Sequence, residues 1–194
     1  MELHNKIWWT RKSKIHAERR LLSNDMQAQL VLLWYALFSV AISIYYLIVK
    51  SSSTVAPGVW VVLSVFSLVA SGFISGLNYK NRAALIKECY EKLDSLFQEA
   101  KLSAGDVARQ GELAEKYRVV LSLCENHSDI DYRAARCEMH FSGDREFSPE
   151  IGFYDYFRWV SYKLLRFGFL LVIYISPVAV FLLLEVDNVL KCHL

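Results

Sequence analysis

The sequence predicts an all-α membrane protein: a two-helix transmembrane hairpin, a cytoplasmic helical hairpin continuing from the second span, and a C-terminal third transmembrane helix. Three observations lead there. Leu30–Val49, Val59–Leu77 and Phe167–Leu184 run for 20, 19 and 18 residues without a charge, and a bilayer core of about 30 Å takes about 20 apolar helical residues. Hydrophobic residues make up 54% of the 194, more than a soluble domain of this length needs for its core. Between the second and third stretches, apolar residues recur at steps of three and four, the period of an amphipathic helix.

The first 29 residues read as a basic, amphipathic cytoplasmic segment. Lys6, Arg11, Lys12, Lys14, Arg19 and Arg20 precede the first span, whereas the loop "KSSSTVAPG" carries only Lys50. The positive-inside bias therefore places the N-terminus in the cytoplasm and that loop outside. Ile7, Trp8 and Trp9 are expected at the membrane interface, with the basic side chains on anionic headgroups. The segment is too charged for a signal peptide and Leu30–Val49 too long for a signal core, so the first span is its own insertion signal.

In the second span, residues 59–77, Ser64, Ser67, Ser71 and Ser75 form one polar stripe with a Gly72–Gly76 pair beside it. Small residues at this spacing either let two helices pack closely or line a pore. The third span, 167–184, carries Pro177, which predicts a kink and a freed carbonyl that a neighbouring helix must satisfy; a re-entrant or peripheral helix is the alternative there. Residues 185–194 form a short tail, placed outside.

The cytoplasmic region spans 78–147. Asn81–Ala100 presents Leu85, Cys89, Leu93, Leu96, Phe97 and Ala100 on one face, and no breaker separates it from the second span. "LSAGD" ends it, with Gly105 for the turn and Asp106 as N-cap of the next helix. That helix carries Leu113, Tyr117, Val120, Leu121 and Cys124, so the two pair through their stripes. In 148–166, Ser148 reads as an N-cap with Pro149 at the first helical position. The aromatics Phe153, Tyr154, Tyr156, Phe157, Trp159 and Tyr162 suit a helix anchored at the membrane interface.

The stretch "LSLCENHSDIDY", Leu121–Tyr132, has the residue types of a catalytic or metal site. A structural reading accounts for each of them. Asn126 and His127 end the Asp106 helix, with Asn126 suited to a left-handed residue. Ser128 caps the next helix with Asp131 at N3, close to a capping box, and Asp129 and Asp131 favour its first turn. No second His or Cys stands at ligand spacing, so no catalytic residue, metal or cofactor is expected and the chain does not read as an enzyme. The four cysteines form no CxxC pair, which argues against a zinc site or disulfide framework and fits a reducing compartment. Residues 78–166 hold 14 Lys or Arg against 15 Asp or Glu, a balance that leaves no nucleic-acid footprint.

"WTRKSKIHAERRL", the membrane hairpin, "KECYEKLDSLFQEA" directly after it, and "ENHSDIDY" (Glu125, Asn126, His127, Ser128, Asp129, Asp131 and Tyr132 among its residues) together resemble the SLATT domain, the SMODS- and SLOG-associating two-transmembrane effector domain. The last element and the extra span look most like its fifth subfamily, linked with reverse-transcriptase-centred systems. The resemblance implies a multi-pass protein of the bacterial inner membrane, an antiviral effector that forms homo-oligomers and perforates or depolarises the membrane when a partner sensor detects phage. It brings no catalytic residues. A non-toxic adaptor that docks a soluble partner through its cytoplasmic hairpin is the alternative.

Overall fold

The computed structural model describes residues 2–49, 55–142 and 151–192. The described residues form six helices and no strand: α1 (Leu3–Val49), α2 (Val55–Gly76), α3 (Tyr79–Leu102), α4 (Val107–Ser122), α5 (Asp129–Ser142) and α6 (Phe153–Cys192). They divide into two compact units, Met1–Asp25 with Tyr79–Tyr162, and Met26–Asn78 with Lys163–Leu194. The unit boundary falls inside α1 and inside α6.

The first unit is built on α3, whose Ala83, Ile86, Cys89, Leu93, Leu96, Phe97 and Ala100 are buried. Leu85, expected on that face, is half exposed, because the buried row runs through the adjacent Ile86, about 100° further round the helix. Asp106 caps α4 as expected, its carboxylate accepting the Arg109 amide at 3.1 Å. Gln110 closes the preceding turn by donating to the carbonyls of Ala100 (2.9 Å) and Ser103 (3.1 Å). Cys89 meets the Val120 carbonyl while Ala100 meets Gln110, so α3 and α4 run antiparallel.

The largest departure lies in the first 29 residues. They are not a separate interfacial segment. Leu3 onward belongs to α1, and Ile7 and Trp8 are buried with Cys89, Leu93, Phe97, Leu113, Tyr117 and Met139. Further along, Ala17 and Leu21 pack on Ala83 and Ile86. The helical repeat places Ile7, Ala17 and Leu21 on one side of α1, with Trp8 about a quarter-turn from Ile7. Packing them on α3 and α4 removes their apolar surface from water.

A second departure concerns the end of α2. The helix stops at Gly76, and Asn78 takes the left-handed conformation with φ 48° while its side-chain amide donates to the Gly76 carbonyl at 3.3 Å. Asparagine is among the few residues that adopt this conformation at small cost. α3 is therefore not a continuation of α2. The interfacial helix of 148–166 is likewise not separate: α6 starts at Phe153 and runs unbroken through Pro177, with the Gly152 carbonyl accepting the amides of Asp155 and Tyr156. Ser148 and Pro149 lie outside the described residues.

In the second unit α1, α2 and α6 are each long and apolar enough to cross a membrane. Leu47, Val62, Leu68, Phe73, Leu165 and Leu183 are all exposed, a surface that suits acyl chains and not water. Between the helices, Ile42, Tyr46 and Trp60 are buried, with Phe38, Leu63, Val180, Phe181 and Leu184 against them.

Pro177 has no amide to give the Ile173 carbonyl. Tyr35 of α1 donates its hydroxyl to that carbonyl at 3.0 Å, and Ser176 donates to it at 3.0 Å. The adjacent Tyr174 carbonyl accepts the Trp34 indole N–H at 3.0 Å. In hydrocarbon an unmet carbonyl costs several kcal/mol, so α1 supplies what the proline withholds. Tyr35→Phe should destabilise the detergent-solubilised protein by about 0.6–1.7 kcal/mol, read as a lowered thermal midpoint. In a Pro177→Ala background, where an amide serves Ile173, the same change should cost little. Equal losses in both backgrounds would show that Tyr35 does not compensate for the proline.

Candidate functional site: the α4–α5 junction

α4 ends at Ser122 with Leu123 as a right-handed C-cap, and six residues, Leu123–Ser128, connect it to α5. Asn126 is not left-handed, because the helix has already stopped by an ordinary right-handed cap four residues after Val119. Glu125 and Asn126 are exposed, while His127 and Ser128 are half-buried.

Asp131 is the centre of this junction, with a side chain only 3% exposed. Its carboxylate takes four hydrogen bonds. Arg20 of α1 approaches in bidentate fashion, Nε to Oδ1 at 2.9 Å and Nη2 to Oδ2 at 3.0 Å. The Ser128 amide (2.9 Å) and hydroxyl (2.6 Å) both donate to Oδ2. The N3 carboxylate thus performs its half of a capping box, and the Ser128 hydroxyl serves the carboxylate. Burial alone would raise the Asp131 pKa. The Arg20 guanidinium and the two Ser128 donors outweigh it and hold the carboxyl below its usual value, so it stays ionised.

The rest of "ENHSDIDY" is held by basic residues from elsewhere in the same unit. Lys14 of α1, fully buried, donates to the Glu125 carbonyl at 2.6 Å and to Cys124 Sγ at 3.0 Å. The Glu125 carboxylate pairs with Arg82 of α3 at 2.7 Å. Tyr132 meets Trp9 edge-on at 6.0 Å and lies under the Arg136 guanidinium. Beside the junction, Thr10 and Tyr117 share a 2.8 Å hydrogen bond, and Glu138 pairs with His16 and Arg19 at 3.2 and 3.1 Å. The two most distinctive stretches of the sequence, Trp8–Leu21 and Glu125–Tyr132, therefore form one interface.

The acidic and imidazole groups point to different partners: Glu125 to Arg82, Asp131 to Arg20, and Asp129 to solvent. Among the described residues no group of three or more His, Cys, Asp or Glu side chains is arranged to hold a metal ion. The arrangement joins helices. Lys14, Arg20 and Arg82 escape a sequence reading because they lie 111, 111 and 43 residues from their partners. The available signal was in α1 itself, where Lys14 and Arg20 share the side of Ala17 and Leu21.

The other candidate residues lie in the second unit. On α2, Leu63, Ser67, Ala70 and Ile74 are half-buried and Trp60 is buried, whereas Ser64, Ser71, Ser75, Gly72 and Gly76 are exposed. Ser64 and Ser67 donate to the carbonyls of Trp60 and Leu63, each at 2.9 Å, so these hydroxyls are satisfied within the helix. At about 100° per residue, Gly72 and Gly76 lie roughly opposite Leu63, Ala70 and Ile74. A methyl group built on either glycine would meet no atom within 4 Å, so packing within the chain does not require glycine there.

His127 gives the junction a pH dependence. Its Nδ1 is buried without a hydrogen-bond partner among the described residues, and its pKa is lowered first by burial and then by Lys14. A histidine whose folded pKa lies below its unfolded value favours folding when neutral, and that stability is lost as pH falls from about 6.5 through the folded pKa. The denaturation midpoint of the solubilised protein should therefore fall between about pH 7 and pH 5. His127→Gln should flatten part of that fall, leaving the part due to His16, which burial also lowers. Parallel profiles for parent and variant would show that His127 is not held neutral.

The family model described as SMODS and SLOG-associating 2TM effector domain family 5 matches residues 1–183. The match runs from before the basic stretch of α1 to within the last apolar turns of α6, so the third apolar helix lies within the family unit. No curated protein and no solved structure matches the chain. With both signature stretches packed together and nearly the whole chain covered, the protein belongs to the SLATT family of two-transmembrane effector domains, in its fifth subfamily.

Proposed function

We propose that the protein is a membrane effector of a bacterial anti-phage defence system, acting by self-assembly in the inner membrane and loss of the membrane's ion barrier when a partner sensor signals. The family's description as an effector domain supports the class of activity. The observation that carries self-assembly is the face of α2 with Gly72 and Gly76. It lies away from the packed side of the helix, and both glycines are unconstrained by their own chain. A second helix can approach closely there, and dispersion and Cα–H contacts then stabilise the pair. In this reading the N-terminus is cytoplasmic, as the basic residues before the first span favour, and the signal comes from a system such as a reverse-transcriptase module.

The serine stripe fits a dry resting state, because the Ser64 and Ser67 hydroxyls already have carbonyl partners and need no water. An assembled state turns Ser64, Ser71 and Ser75 toward a shared axis. The lever for that motion is not a continuous α2–α3 helix, since Asn78 breaks it. α1 and α6 run unbroken from one unit into the next, and the Arg20–Asp131 contact fixes α1 to the junction. A signal that loosens the junction would reach the membrane through α1.

An adaptor role is favoured by a second observation. An open groove of about 590 Å³ on the α3–α4 pair has Leu96, Val119 and Val120 in its floor and Lys92, Lys116, Glu112 and Glu115 at its rim. A partner helix could lie there, and docking and effector action can coexist.

Expression alone in bacteria, followed with a membrane-potential dye, separates the readings. An effector should depolarise cells at high expression, and Gly72→Leu or Gly76→Leu should abolish both depolarisation and chemical crosslinking into oligomers. Ser64→Leu with Ser71→Leu should keep the crosslinks and reduce the depolarisation. Polarised cells at all expression levels, with the partner system present and triggered, would leave the adaptor reading.

A further inference from the structure

Cys89, Cys124 and Lys14 meet where α1, α3 and the start of the junction come together. Lys14 Nζ stands 3.0 Å from Cys124 Sγ. Cys89 Sγ donates to the Val120 carbonyl at 3.5 Å, four residues before Cys124, and both cysteines belong to one packed cluster. Cys89 is buried. Cys124 is half-buried and forms part of the wall of an open pocket of about 400 Å³, together with Arg82, Leu85, Ser122, Leu123 and Glu125. One thiol can thus be reached by a small polar solute, and the second waits behind it.

The geometry points to an oxidation site: Cys124 is the peroxide-reactive thiol and Cys89 the resolving thiol, and their disulfide ties α3 to the α4–α5 junction. In the first step the Cys124 sulfur attacks hydrogen peroxide. The O–O bond breaks, a sulfenic acid forms, and the peroxide is reduced with release of one water. In the second step the Cys89 sulfur attacks that sulfenic sulfur. The S–O bond breaks, the S–S bond forms, and the hydroxyl leaves with the Cys89 proton as a second water. Two thiols and one peroxide thus give one disulfide and two waters.

The order of attack follows from the surroundings. The thiolate is the reacting form of a cysteine, and reaction needs access. In the reduced protein Cys89 is held protonated, its pKa pushed up to about 12 by burial and then by its hydrogen bond to Cys124 and the charge there. Oxidation of Cys124 removes the raising influence of that neighbour, while burial and the lowering influence of Lys14 remain, so Cys89 is held protonated less strongly once its partner has been oxidised. In a reducing compartment such a bond is transient, as redox-sensing disulfides are.

The test uses the full chain in lipid nanodiscs, treated with hydrogen peroxide, trapped with iodoacetamide and mapped by mass spectrometry without reduction. The expected result is a linked pair of peptides containing Cys89 and Cys124, with two fewer alkylated thiols per chain, reversed by dithiothreitol. Cys89→Ser should leave Cys124 as a sulfenic acid captured by dimedone, and Cys124→Ser should leave Cys89 alkylatable only on denaturation. The proposal is overturned if both thiols remain alkylatable on denaturation after oxidation, or if Cys124 proceeds to a sulfinic acid while Cys89 stays a thiol. A product 14 Da heavier that joins Lys14 to Cys124 would overturn it too. The reading needs only the parent protein, so a variant that fails to fold does not weaken it.

Discussion

Asp131 is almost inaccessible to water, and a carboxylate in that position is tolerated only with a full set of donors. Two come from its own helix start, the Ser128 amide and hydroxyl, and two from Arg20 on α1. The pair is weak evidence for stability by itself, since desolvation offsets much of the Coulomb attraction. Its importance is positional. The fork of a guanidinium fits a carboxylate in one plane, so the contact sets the register of α1 against α5. Ile7, Trp8, Ala17 and Leu21 then fall onto α3 and α4. A shift of α1 by one residue would turn Lys14 and Arg20 away from the junction and Ile7 out of the core.

The helix whose register is set at Arg20 also carries Trp34 and Tyr35. Those two side chains meet the carbonyls around Pro177, and Ile42 and Tyr46 pack against Trp60 further on. The junction is held by a few directional contacts, the Arg20–Asp131 ion pair and the Lys14 hydrogen bonds to the Glu125 carbonyl and Cys124 among them.

The three apolar helices were legible in the sequence because uncharged runs of this length have few other uses. The Asp106 cap and the faces of α3 and α4 were legible because local patterns specify them. The role of residues 1–29 was not. Six basic residues before an apolar run read as orientation charges, and nothing local distinguishes Arg20, which is paired with Asp131, from a lysine at a headgroup. The same stretch holds Ile7, Ala17 and Leu21 at helical spacing, the sign of a buried face. Asn78 was readable in principle, since Gly-Leu-Asn can end a helix as well as Gly alone. At the junction, the Asp131 half of the capping relation with Ser128 was legible, because a three-residue spacing specifies it locally. The second function of Asp131, as a partner for Arg20, could come only from the tertiary structure.

The central claim, that α1 is fixed to the α4–α5 junction through Arg20 and Asp131, is tested most directly by a double-mutant cycle on unfolding of the nanodisc-embedded protein. Asp131→Ala alone should cost on the order of 3 kcal/mol, since it leaves a half-buried guanidinium unpaired, and Arg20→Ala should cost a similar amount by stranding the carboxylate. The double variant should cost little more than either single one, giving a coupling energy of about 2–3 kcal/mol. Single effects that simply add would contradict the account, and α1 would then be held by its apolar face alone.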